Sequence, residues 1–386
     1  MLKDLIKLKK SEKLKILGLM SGTSADGLDV ACVEFVGTDK YPQFKVTANT
    51  YIPYPEKFAD AFKRPLELTP SDILTYDMEL GHWYGKVLAE LDMDFDVIAS
   101  HGQTLLHHPP AYTLQIGEAQ CIADRTGKAV VYDFRKADVV AGGQGAPLIP
   151  IVDEFLLRKE DENIVALNMG GIANITYLPS RKSQGQILAF DTGPANTLID
   201  KAVIAFTDGR EMYDKDGLYA SQAKPDKALL DELMSHAYYS RPLPKSAGQE
   251  QFGYDYFRAL TNKVDPKSKD EWLSFISTLS ELTVLSIAKE IKAIYESNKG
   301  AIKVLASGGG ALNQYIMRRL AEELSPMIVE KFEHKELDSD LKEAFGFAYL
   351  AYLFIRDIPG NIAGVTGSNY PVVLGKFLSA NLRSNS

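Results

Sequence analysis

A chain of 386 residues is too long for one compact core, so two lobes are the natural expectation. Its 43 basic and 51 acidic residues leave a formal charge of −8, and no stretch gathers lysine, arginine and aromatics, which argues against nucleic acid and anionic membranes as partners. Apolar runs fall well short of a membrane span, the lysine-rich leader MLKDLIKLKKSEKLK lacks a signal-peptide pattern, and Cys32 and Cys121 form neither a disulfide framework nor a zinc spacing; a cytoplasmic globular protein fits.

In chain order, residues 16–35, ILGLMSGTSADGLDVACVEF, read as strand, polar turn and strand. Gly22, Thr23, Ser24 and Gly27 would let backbone N–H groups and hydroxyls approach an anion, with Asp26 and Asp29 near its metal. No P-loop lysine is present and no helix follows, so the residues alone allow either a hairpin-type nucleotide loop or a plain β-hairpin turn. A strand over 41–55 and a short helix over 56–68 come next, then a helix over 72–91 with Ser71 as N-cap and Ile73, Tyr76, Leu80 and Tyr84 at helical spacing. The apolar strand 96–100 runs into HGQT, making His101, Gln103 and Thr104 candidate ligand contacts, whereas His107 and His108 ahead of Pro109 and Pro110 read as exposed loop. After strands near 114–118 and 129–133, Arg135 could clamp a substrate carboxylate bidentately or pair with Asp133 or Asp138. The sequence GGQG at 142–145 reads as a crossover, which sets the expected lobes at 1–145 and 146–386.

Residues 163–178, NIVALNMGGIANITYL, repeat the opening grammar, implying a duplicated fold with one glycine-turn hairpin per lobe. If Gly170 and Gly171 face the first turn across a cleft, backbone donors would grip a polyphosphate from both sides. In FDTGPAN, Asp191 on a strand-end turn is the first choice for a base, or else an Asx-turn or N-cap residue. Residues 212–256 form a loop-rich, substrate-side insertion, and 272–295 an amphipathic core helix. The strand 302–306 ends in SGGGALN, where Gly308, Gly309 and Gly310 leave room for a flat ligand such as adenine. An apolar helix over 341–355 carries Glu343 near its start, and 361–368 is a glycine-rich tail.

In this order, GLMSGTSADGLDV, SHGQT, TLQIG, DFRKADVVAGGQGAPLIP, LNMGGIANIT, FDTGPAN, YDKDG, SGGGALN and GNIAGVTGS resemble the anhydro-N-acetylmuramic acid kinases of the actin, Hsp70 and hexokinase-like ATPase superfamily. The resemblance implies an α/β, two-lobed actin/hexokinase-like fold with duplicated β-hairpin phosphate loops, an interlobe cleft for ATP, and a C-terminal tail packing back on the first lobe. It implies ATP- and water-dependent opening of 1,6-anhydro-N-acetylmuramic acid to N-acetylmuramic acid 6-phosphate and ADP, in peptidoglycan recycling. By motif, Asp191 resembles the general base and Glu343 a second carboxylate at the sugar and water; Thr104 and Arg135 resemble substrate contacts, with Arg135 suited to the lactyl carboxylate. Gly22, Thr23, Ser24, Ala25, Asp26, Gly27, Leu28 and Asp29, with Gly170 and Gly171, resemble the ATP phosphate side, Mg²⁺ lies close to Asp26, and Gly308, Gly309 and Gly310 resemble the adenosine side. A homodimer is expected of the family. The chain departs from the family pattern at Ala195, Ala247 and Gln249, where glycine, threonine and arginine are expected. A related kinase phosphorylating a free sugar hydroxyl is the alternative; a non-catalytic ATP switch would not need the sugar-side arginine and paired carboxylates.

Overall fold

The computed structural model describes residues 2–22, 25–298, 300–337 and 341–380. The chain parts into two compact units, Met1–Phe155 with His334–Ser386, and Leu156–Glu333. The first break falls ten residues beyond the expected one, and the chain from His334 onward belongs with the first unit instead of the second.

The first unit is built on β1 (Lys13–Ser21), β2 (Gly27–Val36), β3 (Gln43–Pro53), β4 (Val97–His108), β5 (Tyr112–Ile116) and β6 (Ala129–Tyr132). Strands β1, β2 and β3 form an antiparallel meander, β4 lies parallel to β1, and β6 lies parallel to β4. In the second unit, β7 (Asn163–Met169), β8 (Ile172–Leu178) and β9 (Leu188–Pro194) form the same meander, with β10 (Ile302–Ser307) parallel to β7 and β11 (Ile328–Lys331) parallel to β10. The spatial order β3-β2-β1-β4-β6 is therefore repeated, direction for direction, as β9-β8-β7-β10-β11. This is the duplication implied by the two strand-turn-strand stretches. The last strand, β12 (Lys376–Leu378), joins the first sheet antiparallel to β6.

The helix Lys342–Ile355 explains why the C-terminal segment belongs to the first unit. Nearly every residue from Ala344 to Leu353 is buried, so this helix is apolar all round and must be covered by protein on most sides. Phe35 on β2 meets the rings of Phe345, Tyr349 and Tyr352, and Gly18 on β1 approaches so closely that a Cβ there would stand 2.1 Å from the Ala344 carbonyl oxygen. In the second unit the 30-residue helix Lys269–Asn298 supplies Phe275, Ile276, Leu279, Leu282 and Ile287 to the core.

Two local expectations change. The helix Pro70–Ala89 is capped by Thr69, not Ser71: Thr69 and Asp72 form a reciprocal capping box, and proline fills the first helical position, where its missing N–H costs nothing. His107 and His108 remain exposed but end strand β4, because Thr113 and Tyr112 of β5 pair with them.

Candidate functional site

In the first unit the candidates converge on Arg135. Its Nε donates to Nε2 of His101 at 3.1 Å, and a terminal nitrogen donates to the carbonyl of Gly145 at 2.8 Å. The alternative pairing with Asp133 or Asp138 is not adopted: Asp133 binds Lys136 and Lys376, at 3.3 and 2.7 Å, and Asp138 takes uncharged donors. Burial lowers the Arg135 pKa to about 10, opposed by Glu343. His101 is 4% exposed, and desolvation, then the charge of Arg135, push its pKa well down. The imidazole is thus neutral with Nε2 as acceptor. It orients Arg135 instead of presenting a charge of its own.

Glu343 lies in the first turn of the helix Lys342–Ile355 and is exposed. Desolvation raises its carboxyl pKa, with Arg135 and then Lys342 pulling the other way. Lys342 is itself tied to buried Asp153 by an ion pair, which fixes the first turn of the helix. Beside the middle of β4 and the carboxyl end of β6 lies a cavity of about 180 Å³, lined by Ser100, His101, Gly102, Gln115, Tyr132 and Asp133 among others. Thr104, half-buried, accepts from Gln115 Nε2 at 3.2 Å.

Gln103 is placed differently from a ligand contact. It is buried, its Nε2 donates to the carbonyls of Gly22 and Thr104 at 3.1 and 3.3 Å, and its Oε1 accepts from Ser21 at 2.5 Å. The Ser21 hydroxyl accepts from Tyr54, whose phenol oxygen lies 2.6 Å from that of Tyr84. This buried relay anchors the start of the first loop. Within that loop Thr23 and Ser24 lie outside the described residues. Ala25 is buried at φ 52° and Leu28 is buried, so their side chains face the core; Asp26 is exposed and Asp29 half-buried on β2. Gly27 is explained by packing, since a Cβ there would lie 2.6 Å from the Tyr51 ring.

In the second unit Asp191 sits inside β9 instead of on a turn. Its backbone N–H donates to the carbonyl of Lys245 at 3.0 Å, its carbonyl accepts from the Tyr238 hydroxyl at 2.7 Å, and Oδ2 accepts from the N–H of Ala247 at 2.8 Å. Desolvation, against the Ala247 hydrogen bond and with the charge of Glu250, raises its pKa to about 6. A buried ion pair between Lys245 and Glu290 at 2.8 Å pins the loop that supplies the N–H. Because the donor is backbone, the missing hydroxyl at Ala247 leaves this contact intact. At Ala195 φ is −109°, outside the left-handed region that would demand glycine.

The glycine motifs of this unit come together. The carbonyls of Gly170 and Gly171 accept from the N–H groups of Ala195, Asn196 and Thr197, tying the β7–β8 turn to the start of the helix Asn196–Phe206. A Cβ on Gly170 or Gly171 would meet nothing closer than 3.8 Å, so that turn has an open face. Gly308, at φ 78°, and Gly310 press against Met169 and Asn168, where Cβ atoms would stand 2.6 to 2.8 Å from their neighbours, and Asn196 Nδ2 donates to the Met169 carbonyl at 3.1 Å. Asn196, Tyr238, Lys245 and the Asp138 cluster escaped the sequence reading. Their motifs were visible, but no spacing rule links positions so far apart along the chain.

The repeated sheet topology, the arginine held by a histidine in one unit and the glycine turns set against a helix start in the other define a two-unit α/β protein of duplicated fold. The family model described as anhydro-N-acetylmuramic acid kinase matches residues 14–380, and the chain belongs to that family. It is similar to proteins of that name from Cyanothece sp. (36% identical, covering 94% of this chain and 99% of that protein), Gloeobacter violaceus (38%, 93% and 97%) and Caldanaerobacter subterraneus subsp. tengcongensis (36%, 97% and 99%). A ROK hexokinase structure from Thermus thermophilus is a remote likeness, 13% identical with a TM-score of 0.37 over 88% of this chain and 99% of that one.

Proposed function

We propose that this protein uses ATP and water to open the 1,6-anhydro bond of anhydro-N-acetylmuramic acid, giving N-acetylmuramic acid 6-phosphate and ADP for cell-wall sugar recycling. The observation that carries the chemistry is Asp191, a half-buried carboxylate aimed by the Ala247 N–H with its pKa raised to about 6. Such a group is ionised at neutral pH yet basic enough to take a proton from water. In the reaction a water oxygen bonds to the anomeric carbon and passes its proton to Asp191. The bond from that carbon to O6 breaks through an oxocarbenium-like transition state, O6 bonds to the γ-phosphorus, and the bond to the ADP oxygen breaks. Phosphorylation captures the leaving alkoxide, which lessens the need for a proton donor.

Arg135, oriented by His101 and Gly145, would take the lactyl carboxylate, with Thr104 and Glu343 as further contacts to sugar and water. Gly22, Asp26, Gly170 and Gly171 would face the phosphates and Gly308, Gly309 and Gly310 the adenosine, while Gln103 acts by holding Gly22. Among the described residues no three His, Cys, Asp or Glu side chains are grouped as a protein metal site. Mg²⁺ would be held at exposed Asp26 and would neutralise charge on the transferred phosphate. No helix among the described residues is long and apolar enough to cross a membrane, and a cytoplasmic homodimer completes the reading.

The test is ADP release with Mg·ATP and the anhydro sugar in ¹⁸O-water, with the product weighed. One ¹⁸O in the sugar phosphate supports water attack at the anomeric carbon. ADP formed only with some other sugar, without ¹⁸O, would identify an ordinary hydroxyl kinase.

A further inference from the structure

The motifs GGQG, whose Gly145 accepts from Arg135, and GNIAGVTGS meet at one buried carboxylate. Asp138 is 0% exposed. Its Oδ2 accepts from the N–H of Gly145 at 2.7 Å, and its Oδ1 accepts from Asn361 Nδ2 and from the Thr366 hydroxyl, each at 2.6 Å. Two backbone bonds run alongside, from Gln144 N–H to the Thr366 carbonyl and from Asn369 N–H to the Ala141 carbonyl, both at 2.8 Å. Gly143 passes so close that a Cβ there would stand 2.2 Å from Asp138 Oδ2. The segment expected to be a glycine-rich tail is therefore docked on the loop 141–145.

All three side-chain-directed partners of Asp138 are donors, and all are uncharged. An ionised carboxylate is an acceptor on both oxygens, so aspartate satisfies all three, whereas asparagine would set an NH₂ against one of them. Burying a carboxylate whose hydrogen-bond partners among the described residues are all uncharged is costly, and the return for that cost is positional definition. What it defines is Gly145. The N–H of this residue is held by Asp138 while its carbonyl receives the Arg135 guanidinium at 2.8 Å.

We propose that Asp138 is a positioning residue which clamps the loop 142–145 to Asn361 and Thr366, and thereby fixes the orientation in which Arg135 meets the substrate carboxylate. This rests on the reading of Arg135 as the lactyl-carboxylate contact. The guanidinium fork recognises a carboxylate through its direction, so a displaced Gly145 carbonyl weakens recognition of the acid without touching the nucleotide.

The test compares full-length Thr366→Val, Asp138→Asn and Arg135→Lys with the unaltered protein. Three quantities are measured: KM for the anhydro sugar, KM for ATP, and Ki for 1,6-anhydro-N-acetylglucosamine, a competitor lacking the lactyl carboxylate. Thr366→Val removes one hydrogen bond with little change in side-chain shape, so it decides the matter if Asp138→Asn does not fold. The expected result is a rise of about tenfold in KM for the muramic sugar in both clamp variants, with KM for ATP and the competitor's Ki within about twofold of the unaltered protein. If Arg135→Lys loses selectivity for the acid sugar and the clamp variants keep it, the proposal fails and the reading of Arg135 stands. If Arg135→Lys keeps selectivity as well, both fail. A parallel rise in all three constants marks general loosening and also overturns the proposal.

Discussion

Arg135 and His101 share a hydrogen bond in which a half-buried guanidinium donates to a neutral imidazole at 3.1 Å. The contact leaves the guanidinium charge uncancelled, whereas a carboxylate at His101 would have neutralised it. Arg135 is in this way oriented while its positive charge stays available for an anion.

For Arg135→Lys, KM for the anhydro sugar should rise at least about tenfold with KM for ATP nearly unchanged, because an ammonium lacks the planar fork and cannot reach both His101 and Gly145 in the same geometry. Steady-state kinetics with each substrate varied in turn decides it. Equal rises in both constants would remove Arg135 from the sugar side.

Replacing Asp191 by Asn should lower kcat by about 10²- to 10⁴-fold, the range lost when a general base is removed. In the unaltered protein, the acid limb of the kcat/KM profile should bend near pH 6, where Asp191 becomes protonated.

The same carboxylate has a stability signature. Its folded pKa is raised to about 6 from 3.8, so between those values the folded state binds more protons than the unfolded one, and stability falls as pH rises through that window. Asp191→Asn should therefore melt higher than the unaltered protein at pH 8, and this advantage should disappear at pH 4. Calorimetry at the two pH values reads it, and an equal shift at both would show that the substitution acts through packing and not through ionisation.

Gly170 and Gly308 should respond oppositely to alanine. At Gly308, φ is 78° and a Cβ would crowd the Asn168 side chain and the Met169 carbonyl, so Gly308→Ala should cost about 1–3 kcal/mol of stability. Gly170 has free space around its Cβ position, so Gly170→Ala should leave the melting temperature unchanged while raising KM for ATP. An unchanged KM would remove that turn from the phosphate site.

Gln103→Leu should remove one hydrogen bond each from the Gly22 carbonyl, which keeps the Ala25 N–H, and the Ser21 hydroxyl, which keeps Tyr54, at a cost of about 1 kcal/mol, and raise KM for ATP more than KM for the sugar. Denaturant melts and kinetics together check it. A rise confined to the sugar KM would return Gln103 to the list of substrate contacts.

Local pattern was enough to determine much of this protein. Alternation and glycine turns placed both hairpins, helical spacing placed the core helices, and the order of short motifs pointed to the family. The same motifs singled out Arg135, Asp191 and Glu343 as candidates. What the tertiary structure decided concerns partners distant along the chain: which group orients Arg135, which backbone N–H aims Asp191, that Gln103 serves the first loop, and that residues 361–368 dock on Asp138. Each of these depends on a hydrogen bond between residues tens to hundreds of positions apart. Such a bond exists only once the sheets bring the two groups within about 3 Å, and periodicity within a single segment carries no record of that meeting.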